Sequence, residues 1–194
     1  MNSYILRILA LLGLIILSPI LLTSMLFILI EDGFPLLFIQ DRLGKNERIF
    51  QIYKLRTMKK DTPNKGTHEI NQLNYLKCGN YLRKYKIDEL PQIINYLKGD
   101  INLIGPRPGL PSQTQLRESR LKKNIFDACP GITGLSQVLG YDMSNPDLLS
   151  KIDKIYLNNK SVKIDVYIFL ATFTKIFKKK LSNIFKEEIN KNYV

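Results

Sequence analysis

The sequence is poor in cysteine, histidine and acidic residues. Its 194 residues include two cysteines, one histidine and 17 aspartates and glutamates, against 29 lysines and arginines. Cys78 and Cys129 match no C-x-x-C spacing, which favours reduced side chains over a disulfide or a metal site. The formal net charge of +12 predicts an anionic partner, and composition leaves nucleic acid, a membrane surface and a phosphorylated substrate open.

Nucleotide-binding motifs and internal repeats are also missing from the sequence. The Gly-rich segment "CPGITGLSQVLGYD" has the spacing of neither a Walker loop nor a Rossmann fingerprint, and it predicts a loop. His68 lies in the polar segment "DTPNKGTHEINQ", for which we expect a surface loop that can cover a site. The length suits one domain with appendages.

The N-terminus contains a long apolar run. No charged side chain occurs from Ile8 to Ile30, and about 23 residues form roughly 34 Å of helix, comparable to the hydrocarbon core of a bilayer. The run is too long for the apolar region of a signal peptide, and no A-x-A cleavage site stands near its end. We therefore expect a membrane helix.

Ser18-Pro19 lies near the middle of this run. Proline removes a backbone donor and predicts a kink, and the Ser18 hydroxyl can satisfy part of what is freed. A kinked helix can cross the bilayer or turn back. Arg7 and the basic remainder of the chain both prefer the cytoplasm, and only a re-entrant helix satisfies both preferences.

The next segment, "PLLFIQDRLGKNERIFQIYKLRTM", predicts a β-hairpin around Gly44. Lys54 and Arg56 are two residues apart, so they project from one face of a strand. Two cations pointing together suit a phosphate, although charges that protect a solvated strand edge have the same pattern.

Two helical patterns follow. Apolar positions at helical spacing are Tyr75, Cys78, Leu82 and Tyr85 in the first, and Leu90, Ile93, Ile94 and Leu97 in the second. The second ends near Lys98-Gly99, and it predicts Asp88 as N-cap with Pro91 in the first turn. Capping by Asp88 and Glu89 contributes roughly 1 kcal/mol and is the simplest explanation of this acidic pair.

A chemical role for Asp88 and Glu89 is the alternative. Cations close to the pair in the sequence or on the hairpin are Arg83, Lys86, Lys54, Arg56 and Arg107. Together with helix N–H groups they predict an anion site, beside which a carboxylate can act as a nucleophile or a magnesium ligand. Arg107 stands between Pro106 and Pro108, which predicts either a preorganised phosphate clamp or a rigid surface turn.

The C-terminal part of the chain shows an amphipathic pattern from Val166 onward. Apolar residues within one helical arc are Val166, Phe169, Leu170, Phe173, Ile176, Phe177, Leu181 and Ile184, with Lys175, Lys178, Lys179 and Lys186 largely opposite. The pattern predicts a helix lying in the interface of an anionic membrane. A stripe packed on the core is the alternative.

Three segments in combination resemble a known family. "QDRLGKNERIFQIYKLRTM", "YLRKYKIDELPQIINYLKGDINLIGPRP" and "PGITGLSQV", after an apolar helix with Ser-Pro, are similar to the bacterial sugar transferases, the small monotopic phosphoglycosyl transferases. The resemblance extends to about Lys180. It implies a mostly helical α+β fold with a re-entrant helix over 1–32, a catalytic domain with a small hairpin and interfacial helices over 33–180, and a tail over 181–194.

The resemblance also implies a reaction. Members transfer a sugar-1-phosphate from a UDP-sugar to a polyprenyl phosphate, commonly undecaprenyl phosphate, at the cytoplasmic face of the bacterial inner membrane. They release UMP and require Mg²⁺, and they start the synthesis of surface glycans and glycoconjugates. Anionic membrane lipids are then partners and nucleic acid is not. The sugar, the final glycan and the oligomeric state are left unspecified.

Residue roles follow from the same resemblance. Asp88 matches the nucleophile that forms a covalent phosphosugar, and Glu89 matches its partner in proton handling or metal organisation, so that both are expected at the Mg²⁺. The expected phosphate or nucleotide contacts are Lys54, Arg83 and Arg107, with Arg56 and Gln137 in addition. Cys129 replaces a basic residue usual in the family, and Leu139-Gly140-Tyr141 replaces an N-G-R type segment.

Two other functions fit the same residues. A non-enzymatic basic protein of the membrane surface would bind anionic lipid or nucleic acid and use Asp88 and Glu89 only as helix caps. A membrane-bound phosphohydrolase would use the carboxylates and metal with water as acceptor. Turnover of UDP-sugars to UMP separates an enzyme from the first, and dependence on polyprenyl phosphate separates transfer from hydrolysis.

Overall fold

The computed structural model describes residues 3–62 and 74–191. The chain forms two compact units, one from Met1–Asp41 and Gln51–Gly99 and the other from Arg42–Phe50 and Asp100–Val194. The fold is mostly helical with two small sheets, which confirms the predicted α+β class. Most of the predicted polar loop, including His68, lies outside the described residues.

The first unit begins with helix α1 (Ser3–Asp32), which is long and apolar enough to cross a membrane. Pro19 lies inside it, and the Ser18 hydroxyl donates a hydrogen bond of 2.7 Å to the Ile15 carbonyl. That carbonyl is the group that loses its backbone partner because of Pro19. The predicted compensation by Ser18 is thus confirmed, and the helix continues through the proline to Gly33, whose φ of +65° ends it.

Strands β1 (Leu37–Leu43) and β2 (Ile49–Leu55) form a two-stranded sheet, as the sequence predicts. Between them a 3-10 turn at Lys45–Glu47 places Asn46 and Glu47 in the left-handed region, with φ of 52° and 59°. The strands cross the boundary between the two units.

Helix α2 (Lys77–Lys84), a 3-10 turn (Ile87–Glu89) and helix α3 (Gln92–Lys98) complete the first unit. Its core joins the second half of α1 to β2 and α2; the buried members are Leu21, Ile28, Leu55, Leu76 and Leu82. At the other end of α1, the Arg7 guanidinium lies beside Gly99, 3.6 Å from where a β-carbon would stand. Both ends of α1 therefore contact the same unit.

The predicted apolar stripe of helix α3 is confirmed only in part, because Leu90, Ile93 and Leu97 are half-buried and none of the four stripe residues is fully buried. Helix α3 starts at Gln92 with Pro91 at the N-cap, and it buries Gln92, Asn95 and Tyr96 while Ile94 is exposed. The Asn95 amide bonds to strand β2, donating to the Gln51 carbonyl and accepting from the Tyr53 amide. A polar contact with the hairpin thus decides which face of α3 is buried. In the preceding pattern, Leu82 is buried as predicted but Tyr85 is exposed.

The second unit contains the parallel pair β3 (Asn102–Ile104) and β4 (Gly131–Thr133), with Asn102 opposite Gly131. Its helices are α4 (Thr114–Lys122), α5 (Leu135–Leu139), α6 (Pro146–Asn158), α7 (Val162–Phe173) and α8 (Lys175–Lys191). The segment predicted as a Gly-rich loop is therefore strand β4 followed by α5. Gly131 is required there, because a β-carbon would stand 2.1 Å from the Gly105 nitrogen.

The C-terminal amphipathic pattern predicted one helix, and that prediction is wrong. Thr174 adopts an extended conformation and separates α7 from α8. The two helices pack on each other around a core that includes Ile168, Leu181 and Phe185. Apolar side chains left exposed on α7 and at the start of α8 are Val162, Val166, Phe169, Phe173 and Ile176. Helix α8 continues past residue 180 to Lys191, and Leu181, Phe185 and Ile189 of the segment expected as a tail are buried in this core.

Candidate active site

The acidic pair lies in the 3-10 turn between α2 and α3. Lys86 precedes the turn in a left-handed conformation, with φ of 61°, and so redirects the chain after α2. Asp88 is 6% exposed. The turn places Glu89 opposite strand β2, where its carboxylate pairs with Lys54 at 2.8 Å.

Asp88 caps no helix, which corrects the sequence prediction. The N-cap of α3 is Pro91 and that of the 3-10 turn is Lys86, and neither helix start receives a side-chain capping bond. Among the described residues, the buried Oδ1 of Asp88 has no hydrogen-bond partner. A buried polar atom without a partner costs about 1–3 kcal/mol. The capping hypothesis therefore does not account for Asp88.

The electrostatic environment of Asp88 contains opposing contributions. Burial raises the pKa of its carboxyl above the ordinary value, and the charge of Glu89 raises that pKa further. Lys54, Arg83 and Lys86 act in the other direction and favour the ionised form, with Lys54 the strongest of the three. Asp88 is thus a poorly solvated carboxyl group whose charge is supported mainly by a lysine that also binds Glu89.

Two predicted phosphate contacts, Lys54 and Arg83, lie in this cluster. Lys54 projects from β2 and bonds to Glu89 Oε1. The Arg83 guanidinium lies over the Tyr75 ring, 4.7 Å from its centre. The structure thus brings both cations together with the acidic pair inside one compact unit. Their contact with a phosphate stays a prediction.

Arg56 has a different location. Its guanidinium donates to the Asp32 carboxylate at 2.7 Å and to the carbonyls of Asp32 and Gly33 at 3.2 and 2.7 Å. Its side chain is 7% exposed. This geometry uses the guanidinium to bind the end of α1, so we leave Arg56 out of the proposed phosphate site.

Arg107 and Gln137 lie in the second unit. The Arg107 carbonyl accepts a hydrogen bond of 2.7 Å from Arg120, and the Gln137 amide donates to the Ile132 carbonyl at 3.3 Å. The buried Oε1 of Gln137 has no partner among the described residues. The predicted substrate contacts of Arg107 and Gln137 stay predictions.

A buried charged network that contacts the backbone of Arg107 was not predicted from the sequence. Arg120 donates to Asp153 at 2.6 Å, and Asp153 also accepts from the Ser136 hydroxyl at 2.9 Å. The network joins the backbone at Arg107 to the residue next to Gln137. The sequence contains a pattern that indicates a buried Asp153. This residue lies four positions after Leu149 and three before Tyr156, on the apolar face of α6. A carboxylate on such a face requires a buried partner.

The residues of the acidic pair fit a magnesium ion that is shared with a substrate. The described residues contain no cluster of three or more His, Cys, Asp or Glu side chains able to hold a metal alone. Mg²⁺ is commonly held by one or two carboxylates together with substrate phosphates. Asp88 and Glu89 supply two carboxylates, and the buried Oδ1 of Asp88 has no hydrogen-bond partner among the described residues. The ion would neutralise negative charge on phosphate oxygens.

The chemistry that this arrangement permits is nucleophilic attack on a phosphorus atom. A buried carboxylate is weakly solvated, so less water has to be displaced from it before it reacts. Lysine and arginine side chains around it can bind phosphate oxygens. Glu89 lies at the adjacent position, where it can exchange a proton or orient Lys54.

Comparison with known proteins relates the chain to one family. The family model described as bacterial sugar transferase matches residues 2–179. Over 166 residues the chain is 36% identical to the UDP-N-acetylgalactosamine-undecaprenyl-phosphate N-acetylgalactosaminephosphotransferase of Aeromonas hydrophila, covering 82% of this chain and 39% of that protein. Over 159 residues it is 34% identical to the uncharacterized sugar transferase EpsL of Bacillus subtilis, covering 82% of this chain and 78% of EpsL.

A third relative, like the Aeromonas protein, is much longer than this chain. The galactosyl transferase CpsE of Streptococcus agalactiae is 38% identical over 156 residues, covering 73% of this chain and 34% of CpsE. The chain thus spans well under half of the Aeromonas and Streptococcus proteins, with 39% and 34% covered. The family match and these identities agree with the resemblance carried by the D-E-L-P-Q, K-G-D and G-P-R-P segments. The chain belongs to the bacterial sugar transferase family.

Proposed function

We propose that this protein transfers a sugar-1-phosphate from a UDP-sugar to a polyprenyl phosphate and releases UMP. The name of the Aeromonas hydrophila relative specifies undecaprenyl phosphate as acceptor. Family membership supports the reaction class for this chain. The product would serve as the first lipid-linked intermediate of a bacterial surface glycan or glycoconjugate.

Asp88 carries the proposal. It is buried without a capping function, its Oδ1 has no partner among the described residues, and cations surround it. In the first step an Asp88 oxygen attacks the phosphorus next to the sugar, a bond to that phosphorus forms, and the bond from phosphorus to the UMP oxygen breaks. UMP leaves with the electron pair.

The second step regenerates the enzyme. An oxygen of polyprenyl phosphate attacks the same phosphorus, and the bond between phosphorus and Asp88 breaks. Lys54 and Arg83 are suited to bind phosphate oxygens in both steps because both lie in the cluster around Asp88. Glu89 is suited to accept the proton from an acceptor that arrives as the monoanion. Mg²⁺ would be held by Asp88 and Glu89 together with substrate oxygens.

The membrane arrangement forms part of the proposal. We infer that α1 re-enters the membrane and leaves both of its ends on the cytoplasmic side of the bacterial inner membrane. The contacts of Arg7 with Gly99 and of Asp32 with Arg56 support this, since both ends of α1 contact the first unit. The face of α1 away from this unit is apolar and exposed, as at Ile16 and Ile30, each 74% exposed.

The exposed apolar residues of α7 and early α8 support a second membrane contact. Phe173 and Ile176 are 65% and 79% exposed, and Lys175, Lys178 and Lys179 follow or flank them in the sequence. Apolar side chains beside lysines favour the interface of an anionic bilayer. Such a position would keep the protein at the surface where the lipid acceptor has its phosphate.

Transfer is tested by measuring UMP release from a panel of UDP-sugars, with and without undecaprenyl phosphate. We expect sustained release only when the acceptor is present, with formation of a sugar diphospholipid, and without it a single burst of at most about one UMP per protein from the first step. Equal UMP release without acceptor would indicate hydrolysis. No release with any UDP-sugar would support a binding protein in place of an enzyme.

A further inference from the structure

We propose that Glu31 and Asp32, at the end of α1, position the Asp88 site relative to the membrane so that it meets a membrane-bound acceptor. The inference rests on the proposed function, because it concerns the second transfer step. The name α1 clamp is used below for Glu31 and Asp32 together with their partners, which are Lys77, Cys78, Arg56 and Lys60. Its members act through other residues and are positioning residues.

Glu31 joins α1 to helix α2. Its carboxylate accepts hydrogen bonds from the backbone amides of Lys77 and Cys78, with lengths of 2.5 and 3.0 Å. Leu76, the N-cap of α2, has no capping side chain, so the carboxylate from the membrane helix satisfies the first amides of α2. Helix α2 carries Arg83 and leads through Lys86 into the turn of Asp88.

Asp32 joins α1 to the end of strand β2. Its carboxylate accepts from the Arg56 guanidinium at 2.7 Å and from the Lys60 amide at 3.2 Å. Arg56 stands two residues after Lys54, which bonds to Glu89. Two consecutive acids of the membrane helix thus hold the two elements that flank the acidic pair, α2 on one side and β2 on the other.

The Asp32 half of the clamp has the multiple, shielded contacts that a positioning role requires. The side chains of Arg56 and Asp32 are 7% and 27% exposed, and the guanidinium also bonds to two backbone carbonyls. Multiple charge-assisted bonds in a shielded place fix geometry better than a solvated ion pair does. Below the clamp, Ile28 of α1 and Leu55 of β2 are both fully buried.

Positioning matters more for the second substrate than for the first. A UDP-sugar is water-soluble and can approach Asp88 freely, whereas the phosphate of a long polyprenyl chain is held at the depth set by the bilayer. If α1 moves relative to the acidic pair, the phosphate of the lipid acceptor is no longer aligned with Asp88. The soluble UDP-sugar can still adjust its position. Misplacement by about 1 Å can reduce a rate about 100-fold. The clamp also gives a reason for two acids at the end of a helix in a basic protein.

The test compares the double variant Glu31→Ala/Asp32→Asn with the wild type in lipid vesicles. The matched control is Asp41→Asn, which removes a carboxylate from an exposed position on β1. Three rates are measured: labelling of the protein by sugar-labelled UDP-sugar without acceptor, turnover with undecaprenyl phosphate, and turnover with a short-chain, water-soluble prenyl phosphate. Glu31→Gln is a milder variant that retains a carbonyl oxygen for one amide.

We expect the double variant to lose about 10-fold to 100-fold of its turnover with undecaprenyl phosphate, and to keep labelling and short-chain turnover within about twofold of the wild type. Glu31→Gln should fall between, and Asp41→Asn should match the wild type. Equal losses with both acceptors and in labelling would overturn the inference in favour of a purely structural role, and no loss at all would also overturn it. If the wild type itself takes no label, the covalent mechanism fails, and the ratio of long-chain to short-chain turnover still decides the role of the clamp.

Discussion

At the scale of single residues, Asp88 combines a cost for folding with a proposed use in catalysis. Its carboxyl is buried with a partnerless oxygen, and burial raises its pKa. A carboxyl with a raised pKa binds a proton more tightly in the folded state than in the unfolded state. Its contribution to stability is therefore favourable at low pH and is lost as the pH rises through the folded-state pKa.

This sign gives a prediction for Asp88→Asn. Asparagine carries no charge, so the variant should unfold at the same temperature as the wild type or higher at neutral pH, while UDP-sugar turnover is lost. The difference in melting temperature should shrink toward acidic pH, where Asp88 is protonated. Thermal unfolding of the detergent-solubilised proteins across pH measures this. A clear loss of stability at neutral pH would restore a structural role for the carboxylate.

The neighbours of Asp88 give a second prediction, on the pH dependence of labelling by UDP-sugar. The labelling rate should fall as the pH is lowered, and the midpoint of this fall, called the acidic limb, should lie above the ordinary pKa of an aspartate, about 3.9. Glu89→Gln removes a charge that raises the pKa of Asp88, so the limb should move to lower pH. Lys54→Gln removes the cation that lowers it most, so the limb should move to higher pH. Shifts in the same direction for both variants would contradict the assignment of Asp88 as the titrating group.

At the scale of secondary-structure elements, Pro19 offers a third prediction. Proline has no N–H to donate to the Ile15 carbonyl, which instead accepts a hydrogen bond from the Ser18 hydroxyl. We expect Pro19→Leu to restore the regular helix and to shift some molecules from re-entry to spanning. A cysteine introduced at Ser3, with Cys78 and Cys129 replaced by serine, reports the side of the membrane. It should resist an impermeant periplasmic reagent in the parent and react in the Pro19→Leu variant. Reaction in the parent would favour a spanning helix.

Helix α4 carries two arginines in ion pairs that differ in burial, which gives a fourth prediction. Arg120 pairs with Asp153, and both side chains are under 4% exposed, whereas Arg117 is 50% exposed in its pair with Glu47. Arg120→Leu should destabilise the fold by about 3–5 kcal/mol, since it leaves a buried carboxylate without its counter-charge. Arg117→Leu should cost less than about 1 kcal/mol. Denaturant unfolding measures both, and equal effects would show that burial of the pair is unimportant.

Local signals explain which elements could be predicted from the sequence. The hairpin depends on residues close together, since polar turn residues at Gly44–Asn46 separate two apolar runs, and it was predicted correctly. The Ser18 bond to Ile15 also spans only three residues. The acidic pair could be singled out because Asp88 and Glu89 are adjacent in one contiguous motif, and their catalytic role stays a prediction.

The elements that were missed depend on distant partners. The prediction of a phosphate contact for Arg56 came from its spacing to Lys54 and from the family resemblance, and that spacing does not reveal the bond of Arg56 to Asp32, 24 residues away. The buried face of α3 is set by the bond between Asn95 and Gln51, 44 residues apart, which helical spacing does not reveal. The break at Thr174 has neither glycine nor proline, and packing of α7 on α8 determines it. Helical periodicity alone therefore extended one stripe through two helices.

At the scale of the whole molecule, the charge and the apolar surfaces match the two proposed substrates. The formal net charge of +12 would attract both a nucleoside diphosphate sugar and a lipid phosphate to the protein. The apolar face of α1 would keep the protein in the membrane that holds the second substrate. With one nucleophile that serves each substrate in turn, the two anions need not be bound together, and steady-state kinetics should be ping-pong.

A covalent phosphosugar on Asp88 distinguishes the proposed mechanism from direct transfer, and mass analysis of the intact protein and of its peptides detects it. The protein is incubated with a UDP-sugar labelled in the sugar, without polyprenyl phosphate, and then digested. We expect one sugar phosphate per chain on the peptide that contains Asp88, its loss when undecaprenyl phosphate is added, and no adduct in folded Asp88→Asn. An unmodified wild-type protein that still turns over with the acceptor, or an adduct that persists in Asp88→Asn, would contradict the proposed mechanism.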